Sequence, residues 1–177
     1  MKCGPEKSRR PPAHVGSRRA FIALGSNLGD SVQIVQQALE RLQTLSDEPV
    51  LKSSLARTAP VDCPPGSPHF INAAASLVPR PGETPESLLE KLRQLEKQFG
   101  RTPKKIPNEP RPLDLDLIAF GNESRSTPQL TLPHPRAHLR RFVLEPLSEI
   151  APELILPGQT RTVARLLREL STDSVTT

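Results

Sequence analysis

The chain is predicted to be an α+β protein, a ferredoxin-like βαββαβ sandwich with a C-terminal extension covering one side. Three observations lead there. Short apolar runs alternate with stretches whose apolar residues recur every three or four positions. The segments fall in the order β-α-β-β-α-β, which is that of the sandwich. The length, 177 residues, suits one domain with a single core.

The first element is a short strand over Ala20 to Leu24, ending at Gly25. Asp30 or Ser31 then caps a helix whose Val32, Val35, Leu39 and Leu42 share one face, and which ends near Leu45. Val50 to Arg57 reads as a strand, followed by a proline-rich loop through Ala59-Pro60-Val61 and Pro64-Pro65-Gly66-Ser67-Pro68 that cannot join a ladder. Phe70 to Val78 is the next strand. Thr84 offers an N-cap and Pro85 suits the first turn of a helix striped by Leu88, Leu92, Leu95 and Phe99, with Gly100 ending it. A polar loop from Arg101 to Pro112, expected to be mobile when empty, leads into a strand carrying Asp114 and Asp116. Beyond Gly121 the pattern weakens to a rigid turn at Leu132-Pro133-His134-Pro135, a short helix over His138 to Arg141, an apolar run from Phe142 to Leu147, and a helix over Val163 to Leu170. This last third is expected to wrap the sandwich, cover one edge and supply His134 and Arg140.

Charge and composition exclude several functions. The net charge of +5 lies entirely in residues 1–19, where Lys2, Lys7, Arg9, Arg10, Arg18 and Arg19 face only Glu6; the remainder is neutral. A duplex-binding fold spreads its basic face over the domain. The chain is therefore expected to divide into a disordered basic tail, residues 1–19, and one domain, residues 20–177. Trp and Tyr are absent, which removes a base-stacking platform, so no nucleic-acid partner is expected. Ser17-Arg18-Arg19-Ala20-Phe21-Ile22 imitates a twin-arginine export signal, but its apolar run stops at Leu24, short of the roughly 7–15 residues such a signal uses. No run approaches the roughly 18 apolar residues of a membrane helix. Cys3 and Cys63 match no zinc spacing and are expected to be free, non-catalytic thiols in a reducing compartment. A soluble, cytoplasmic protein without membrane contact is expected.

The chemistry concentrates in Arg111-Pro112-Leu113-Asp114-Leu115-Asp116-Leu117-Ile118. On a strand, residues i and i+2 share a face and lie roughly 6.6 Å apart. Asp114 and Asp116 can then reach one cluster of divalent cations and phosphate oxygens while Leu113, Leu115 and Leu117 anchor the other face. The same alternation also describes a half-exposed strand with a solvated outer face, and a bare D-x-D does not separate the two.

Further motifs stand in order along residues 20–158: Ala23-Leu24-Gly25-Ser26-Asn27-Leu28-Gly29, Phe70-Ile71-Asn72-Ala73-Ala74, Leu95-Glu96 before Gly100-Arg101, Pro110-Arg111 before the Asp strand, Leu132-Pro133-His134, and Leu144-Glu145-Pro146-Leu147-Ser148-Glu149-Ile150-Ala151-Pro152. Together they resemble the 6-hydroxymethyl-7,8-dihydropterin pyrophosphokinases of folate biosynthesis. The resemblance implies transfer of the β,γ-diphosphate of ATP to the hydroxymethyl oxygen of the pterin, by attack on the β-phosphorus, with release of AMP. It implies two Mg²⁺ ions on Asp114 and Asp116, one bridging the α- and β-phosphates and the other bridging the β- and γ-phosphates and activating the hydroxyl. ATP is the co-substrate. Arg101, Arg111, Asp114 and Asp116 are implied to be catalytic, and Glu96, Arg101, Arg111, Leu117, His134 and Arg140 to bind ATP. The pterin falls to Thr58, Ala59, Val61, Phe70, Asn72 and Phe142. These residue types suit such roles, because arginine's fork matches phosphate oxygens and a carboxamide complements the amide-like pterin edge. No G-x-x-x-x-G-K-[ST] loop is present, so side chains must hold the triphosphate. The implied partners are small molecules, ATP and hydroxymethyldihydropterin, bound by a monomer or weak homodimer.

This chain departs from the family pattern in its catalytic loop. Asn108 and Glu109 stand where many members have Trp followed by a small glycine, and Pro103 replaces a second arginine, leaving Lys104 or Lys105 as point charges. Phe70 keeps the ring of a Tyr and drops its hydroxyl. Two other readings stay open: a non-catalytic ferredoxin-like module that binds a ligand, and another Asp/Mg-dependent phosphotransferase, which would yield ADP or free phosphate.

Overall fold

The computed structural model describes residues 18–103 and 109–173. Cys3, most of the basic tail, and Lys104, Lys105, Ile106 and Asn108 lie outside the described residues.

An antiparallel sheet forms the centre. Its central strand β1 (Ala20–Ser26) pairs on one side with β4 (Phe70–Leu77) and on the other with β5 (Asp114–Phe120). Two short strands, β2 (Leu51–Lys52) and β3 (Ala56–Thr58), lie in succession along the far edge of β4. The helices α1 (Ser31–Leu42) and α2 (Pro85–Gln98) cover one sheet face, and α3 (Arg141–Ile150) and α4 (Val163–Asp173) cover the other. The hairpin β6 (Arg125–Ser126) and β7 (Thr131–Leu132) stands apart from the main sheet.

Period-2 alternation divides β1 between two cores. Ala20, Ile22 and Leu24 pack with Val35, Ala38, Leu39 and Leu42 of α1 and Leu88, Leu92 and Leu95 of α2. Phe21 points the other way, toward Val143, Leu144 and Leu147 of α3 and Val163 and Leu166 of α4. Each fully buried Leu contributes roughly 1.5–3 kcal/mol, so the two apolar faces outweigh the small polar irregularities at the sheet's open end.

Local signals set the helix ends. The Asp30 carboxylate accepts from Gln33 N–H at 3.1 Å, and Thr84 and Ser87 exchange side-chain and backbone hydrogen bonds in a capping box. At the far end of α2, Gly100 adopts φ +85, Gly100 N–H donates to Lys97 O, and Arg101 N–H donates back to Glu96 O at 3.0 Å. This cap sets Arg101 beside Glu96.

Several expectations need correction. The single strand expected over Val50–Arg57 is two strands, because Ser53 and Ser54 divert the chain. The Ser53 hydroxyl accepts from Ala74 N–H at 2.8 Å, and Ser54 donates its N–H and hydroxyl to the Glu149 carboxylate at 2.8 and 2.7 Å; such local side-chain bonds compete with a ladder. The C-terminal third covers the second face of the sheet through α3 and α4. The expectation was that this third covers one edge; Pro146 stands inside α3 as a buried residue. The short helix expected at His138–Arg141 is a single 3-10 turn at Ala137–Leu139, and Arg141 opens α3. Among the described residues no helix is long and apolar enough to cross a membrane.

Candidate active site

The site lies on the α3 side of the sheet, at the end of β1 that leads into Gly25. Register across three strands builds its floor. Gly25 stands opposite both Asn72 on β4 and Asp114 on β5, and Ala23 stands opposite both Ala74 and Asp116. Asn72, Asp114 and Asp116 therefore rise from one face, separated by positions with little or no side chain. A Cβ built on Gly25 would lie 3.2 Å from Asn72 Oδ1 and 3.6 Å from the Phe70 ring, so glycine keeps the floor open between the carboxamide and the carboxylates. A bulge keeps the two halves of β5 in their places: Phe21 faces Ala119 and Ile22 faces Leu117, leaving Ile118 as an extra residue. Ile118 and Ala119 both enter the second core, while Asp114 and Asp116 stay at its open end.

Asn27 ties this floor to its walls. Its backbone N–H donates to Arg111 O at 3.2 Å, its carboxamide oxygen accepts from Arg111 N–H at 2.9 Å, and its amide nitrogen reaches Pro68 O at 3.5 Å. The buried Asn27 thus fixes the backbone of Arg111 and the end of the proline-rich loop. Arg111 Nη2 lies 2.8 Å from Asp114 Oδ2, and its guanidinium stacks 5.7 Å from the Phe70 ring centre. Its Nε is buried without an acceptor among the described residues, a donor that a phosphate oxygen would satisfy.

Arg101 bridges Glu96 and the other oxygen of Asp114. Glu96 also accepts from Leu115 N–H at 2.7 Å, linking α2 to β5. Burial pushes the Glu96 carboxyl up to about 7, with Asp114 and Asp116 adding to the rise while the Leu115 bond and the charge of Arg101 oppose it. Arg101 is buried too, but the Asp114 and Glu96 charges outweigh that burial and hold its pKa above the ordinary arginine value. Asp116 is raised above its usual range by burial and by the Asp114 carboxylate, against the pull of His134, Arg140 and Arg111. Burial lowers His134, with Asp116 resisting and Arg140 and Arg136 assisting. The imidazole Nδ1 accepts from Arg136 N–H at 3.2 Å, which leaves Nε2 as the proton-bearing nitrogen.

Two cavities meet at the carboxylate pair. One, of about 250 Å³, is lined by Thr58, Ala59, Val61, Phe70, Asn72 and Phe142 together with Arg111, Arg136 and Arg140. The other, of about 350 Å³, is lined by Arg93, Glu96, Arg101, Leu117, Gln129, Thr131 and His134. Asp114 and Asp116 line both. In the first, Asn72 Nδ2 donates to the Thr58 hydroxyl at 2.7 Å, leaving its carboxamide oxygen on the Gly25 side.

Every residue expected at a site lies in one of these two cavities. Thr58, Ala59, Val61, Phe70, Asn72 and Phe142 fall together on one side, and Glu96, Arg101, Leu117 and His134 on the other. Arg111 and Arg140, expected with the nucleotide, line the Asn72 side. Glu96 pairs with Arg101 rather than with its helix neighbours Arg93 or Lys97. Leu117 is a buried residue of the α1/α2 core whose edge reaches the second cavity. Arg136, Gly25 and Asn27 were not expected. The signal for Arg136 was available, four residues before Arg140 and next to the Pro-His turn. Cys63 is half-buried in the Asn72-side cavity, its thiol donating to Val61 O. No group of three or more His, Cys, Asp or Glu among the described residues forms a metal cage, so any metal here would rest on the carboxylate pair and on oxygens from a ligand.

The chain matches the model of the 7,8-dihydro-6-hydroxymethylpterin-pyrophosphokinase family over residues 21–152. It is 36% identical over 153 residues to the 2-amino-4-hydroxy-6-hydroxymethyldihydropteridine pyrophosphokinase of Haemophilus influenzae, covering 86% of this chain and 92% of that one. The Bacillus subtilis protein of the same name is 39% identical over 136 residues, 76% of this chain and 79% of its own. Among solved structures, wild-type Plasmodium falciparum HPPK-DHPS resembles it with a TM-score of 0.68 at 14% identity, over 87% of this chain and 45% of that chain. The chain thus spans less than half of that longer protein, and the likeness carries the fold alone.

Proposed function

Since this chain belongs to the 7,8-dihydro-6-hydroxymethylpterin-pyrophosphokinase family, we propose that its two cavities hold the two substrates, pterin on the Asn72 side and ATP on the Glu96 side. The reaction transfers the β,γ-diphosphate of ATP to the hydroxymethyl group of 6-hydroxymethyl-7,8-dihydropterin in folate biosynthesis. A bond forms between the hydroxymethyl oxygen and the β-phosphorus, the bond from the β-phosphorus to the bridging oxygen breaks, AMP leaves, and the hydroxyl proton passes to solvent. The observation that carries the reading is the shared wall: Asp114 and Asp116 line both cavities. A group passed between two ligands must cross that point.

The donor set suits hard divalent cations, since two carboxylates rise from one strand face and the buried one repels its neighbour. Asp114 and Asp116 would hold two Mg²⁺ ions. When bound, these supply neutralisation of phosphate charge and activation of the attacking hydroxyl.

The remaining work falls to the chain's own residues. Asn72 offers carboxamide groups to the pterin edge, with Thr58 fixing its orientation. Phe70 and Phe142 hold the flat faces, each ring already stacked with a guanidinium, Arg111 and Arg140 respectively. Arg111 offers its unsatisfied Nε to the transferred phosphates. Arg101, pinned by Glu96, and the Nε2–H of His134 offer donors from the ATP side. The two cavities together bring the reactants into one encounter geometry, which is how a phosphoryl-transfer enzyme without a covalent intermediate gains most of its rate.

In this reading the frame is a ferredoxin-like sandwich, with strand order β2-β4-β1-β5 in support, and the C-terminal helices are an extension closing one face. The reading also has a cytoplasmic monomer or weak homodimer acting on small molecules, consistent with a thiol left free at Cys63. The experiment is to incubate the protein with Mg²⁺, ATP and 6-hydroxymethyl-7,8-dihydropterin and to identify the nucleotide released. AMP with pterin diphosphate is expected. ADP or free phosphate in place of AMP would overturn the reading.

A further inference from the structure

The sheet edge beside Asn72 has little support of its own. β3 is three residues long, pairs with β4, and ends at Thr58, whose hydroxyl accepts from Asn72 Nδ2 at 2.7 Å. A strand that short holds its place weakly on ladder bonds alone. The two residues ahead of it are anchored to opposite sides of the sheet. Leu55 packs against the α1/α2 core, while Ser54 turns to α3, donating its N–H and its hydroxyl to the Glu149 carboxylate at 2.8 and 2.7 Å. Glu149 stands in the last turn of α3, and the first turn of that helix brings Phe142 to the same cavity as Thr58 and Asn72. One carboxylate therefore joins the two elements that supply Thr58 and Phe142.

Resting on the assignment of the two cavities above, we propose that Glu149 is a positioning residue for the pterin: it holds β3 and α3 at the spacing that lets Asn72 and Phe142 engage one flat ring together. A planar ligand gripped at its edge by a carboxamide and on its face by a phenyl ring tolerates little error between the elements that carry them. On the β3 side the link is short, since Thr58 follows Ser54 by four residues and orients Asn72. On the α3 side, Phe142 and Glu149 are seven residues apart, roughly 10.5 Å along the helix. Pro146, between them, has no N–H to return to the Phe142 carbonyl. The helix therefore depends on anchors outside itself to keep its course. Burial of Val143, Leu144 and Leu147 is non-directional, whereas two hydrogen bonds to one carboxylate fix a direction. Neither β3 nor α3 lines the Glu96-side cavity, so the effect of Glu149 falls on the pterin and not on ATP.

The test compares the wild-type protein with Glu149→Ala, Glu149→Gln and Ser54→Ala in steady-state AMP release with Mg²⁺, varying ATP and 6-hydroxymethyl-7,8-dihydropterin in turn. Glu149→Ala is expected to raise the KM for the pterin about tenfold, a modest loss for two bonds because both lie at the surface. The kcat at saturating pterin and the KM for ATP should change by less than about twofold. Glu149→Gln should recover most of the loss, since its amide can accept from the Ser54 N–H and donate to the Ser54 hydroxyl. Ser54→Ala, which keeps the backbone bond, should raise the pterin KM about threefold and add nothing further to Glu149→Ala. An unchanged pterin KM in Glu149→Ala overturns the inference. So does a parallel loss in kcat and in both KM values, which would make Glu149 a general support of the fold. If Glu149→Ala does not fold, Ser54→Ala, which removes a single surface hydroxyl, decides by the same split. A wild-type protein that releases no AMP from this mixture would overturn the cavity assignment itself, and this inference with it.

Discussion

Replacing Asp116 with asparagine should stabilise the metal-free protein while removing its activity. The Asp116 carboxyl is buried and faces the Asp114 carboxylate, and both effects raise its pKa above 3.8, outweighing the attraction of His134, Arg140 and Arg111. The sign follows from proton counting. Between pH 3.8 and the raised value, the folded chain retains a proton that the unfolded chain has released, so stability falls as pH rises through that window and the full penalty is present above it. Two residues of strand separate the carboxylates by about 6.6 Å, and at an effective dielectric of about 20 their repulsion is about 2.5 kcal/mol. The nearby guanidinium groups of Arg140 and Arg111 offset part of it. A net gain of about 1 kcal/mol in Asp116→Asn would raise Tm by about 2–4 °C in a domain of this size. Asp114 keeps its bridges to Arg101 and Arg111, so the strand stays in place. Turnover should fall by about a thousandfold, equivalent to about 4 kcal/mol of transition-state stabilisation. Thermal denaturation of chelator-treated protein at neutral pH, repeated below pH 3.8 where the advantage should vanish, reads the first effect, and AMP release reads the second. A lower Tm than wild type at neutral pH would show that Asp116 is a stabilising ion-pair partner, and wild-type turnover would remove it from the chemistry.

Gly25→Ala should weaken pterin binding about tenfold and leave ATP affinity unchanged, because the new Cβ, 3.2 Å from Asn72 Oδ1, displaces the carboxamide; calorimetry with each substrate separates the two. Its stability should change by no more than about 1–2 kcal/mol, since only one side chain must move. Arg111→Ala should lower kcat about a hundredfold with a much smaller effect on pterin affinity, and an equal loss in both would identify a structural arginine. Glu96→Gln should flatten the fall in Tm between about pH 4.5 and about 7, the interval over which the wild-type carboxyl ionises late at the expense of folded-state stability; an unchanged pH profile would mean that Glu96 is not the group responsible. The glutamine oxygen can still accept from Leu115 N–H and Arg101, so the link between α2 and β5 should persist.

The helices α1 and α2 were legible because their signals are local. Asp30 and Thr84 cap them, Gly100 ends the second, and leucines at spacings of three and four face one way. The Asp strand was equally plain, since alternation with leucine places both carboxylates on one face whatever surrounds them. α3 was not legible, because a proline inside an apolar run hides a helix that only packing against the second sheet face sustains. The break between β2 and β3 depends on Glu149, a residue 95 positions from Ser54, and no local pattern announces such a partner. Asn27 is similar. Its place in Gly25-Ser26-Asn27 marks a turn, while its work is to hold Arg111 and Pro68, both distant in the chain.

By itself, the order of residues pointed to the candidate groups: two aspartates a strand-step of two apart, arginines on either side of them, a carboxamide and two phenyl rings. Alternation along a strand put both carboxylates on one face before any neighbour was known, and the ordered motifs, through their resemblance to the family, named the rest. Which cavity each group lines was decided only when the chain folded. Antiparallel register set Asn72, Gly25 and Asp114 in one row across three strands, and the packing of α3 and its preceding turn brought Arg136 and Arg140 to the Asn72-side cavity while His134 went to the other. Such placement depends on pairings between residues far apart in sequence, and those are settled by the shared burial of two cores rather than by any segment's own preference.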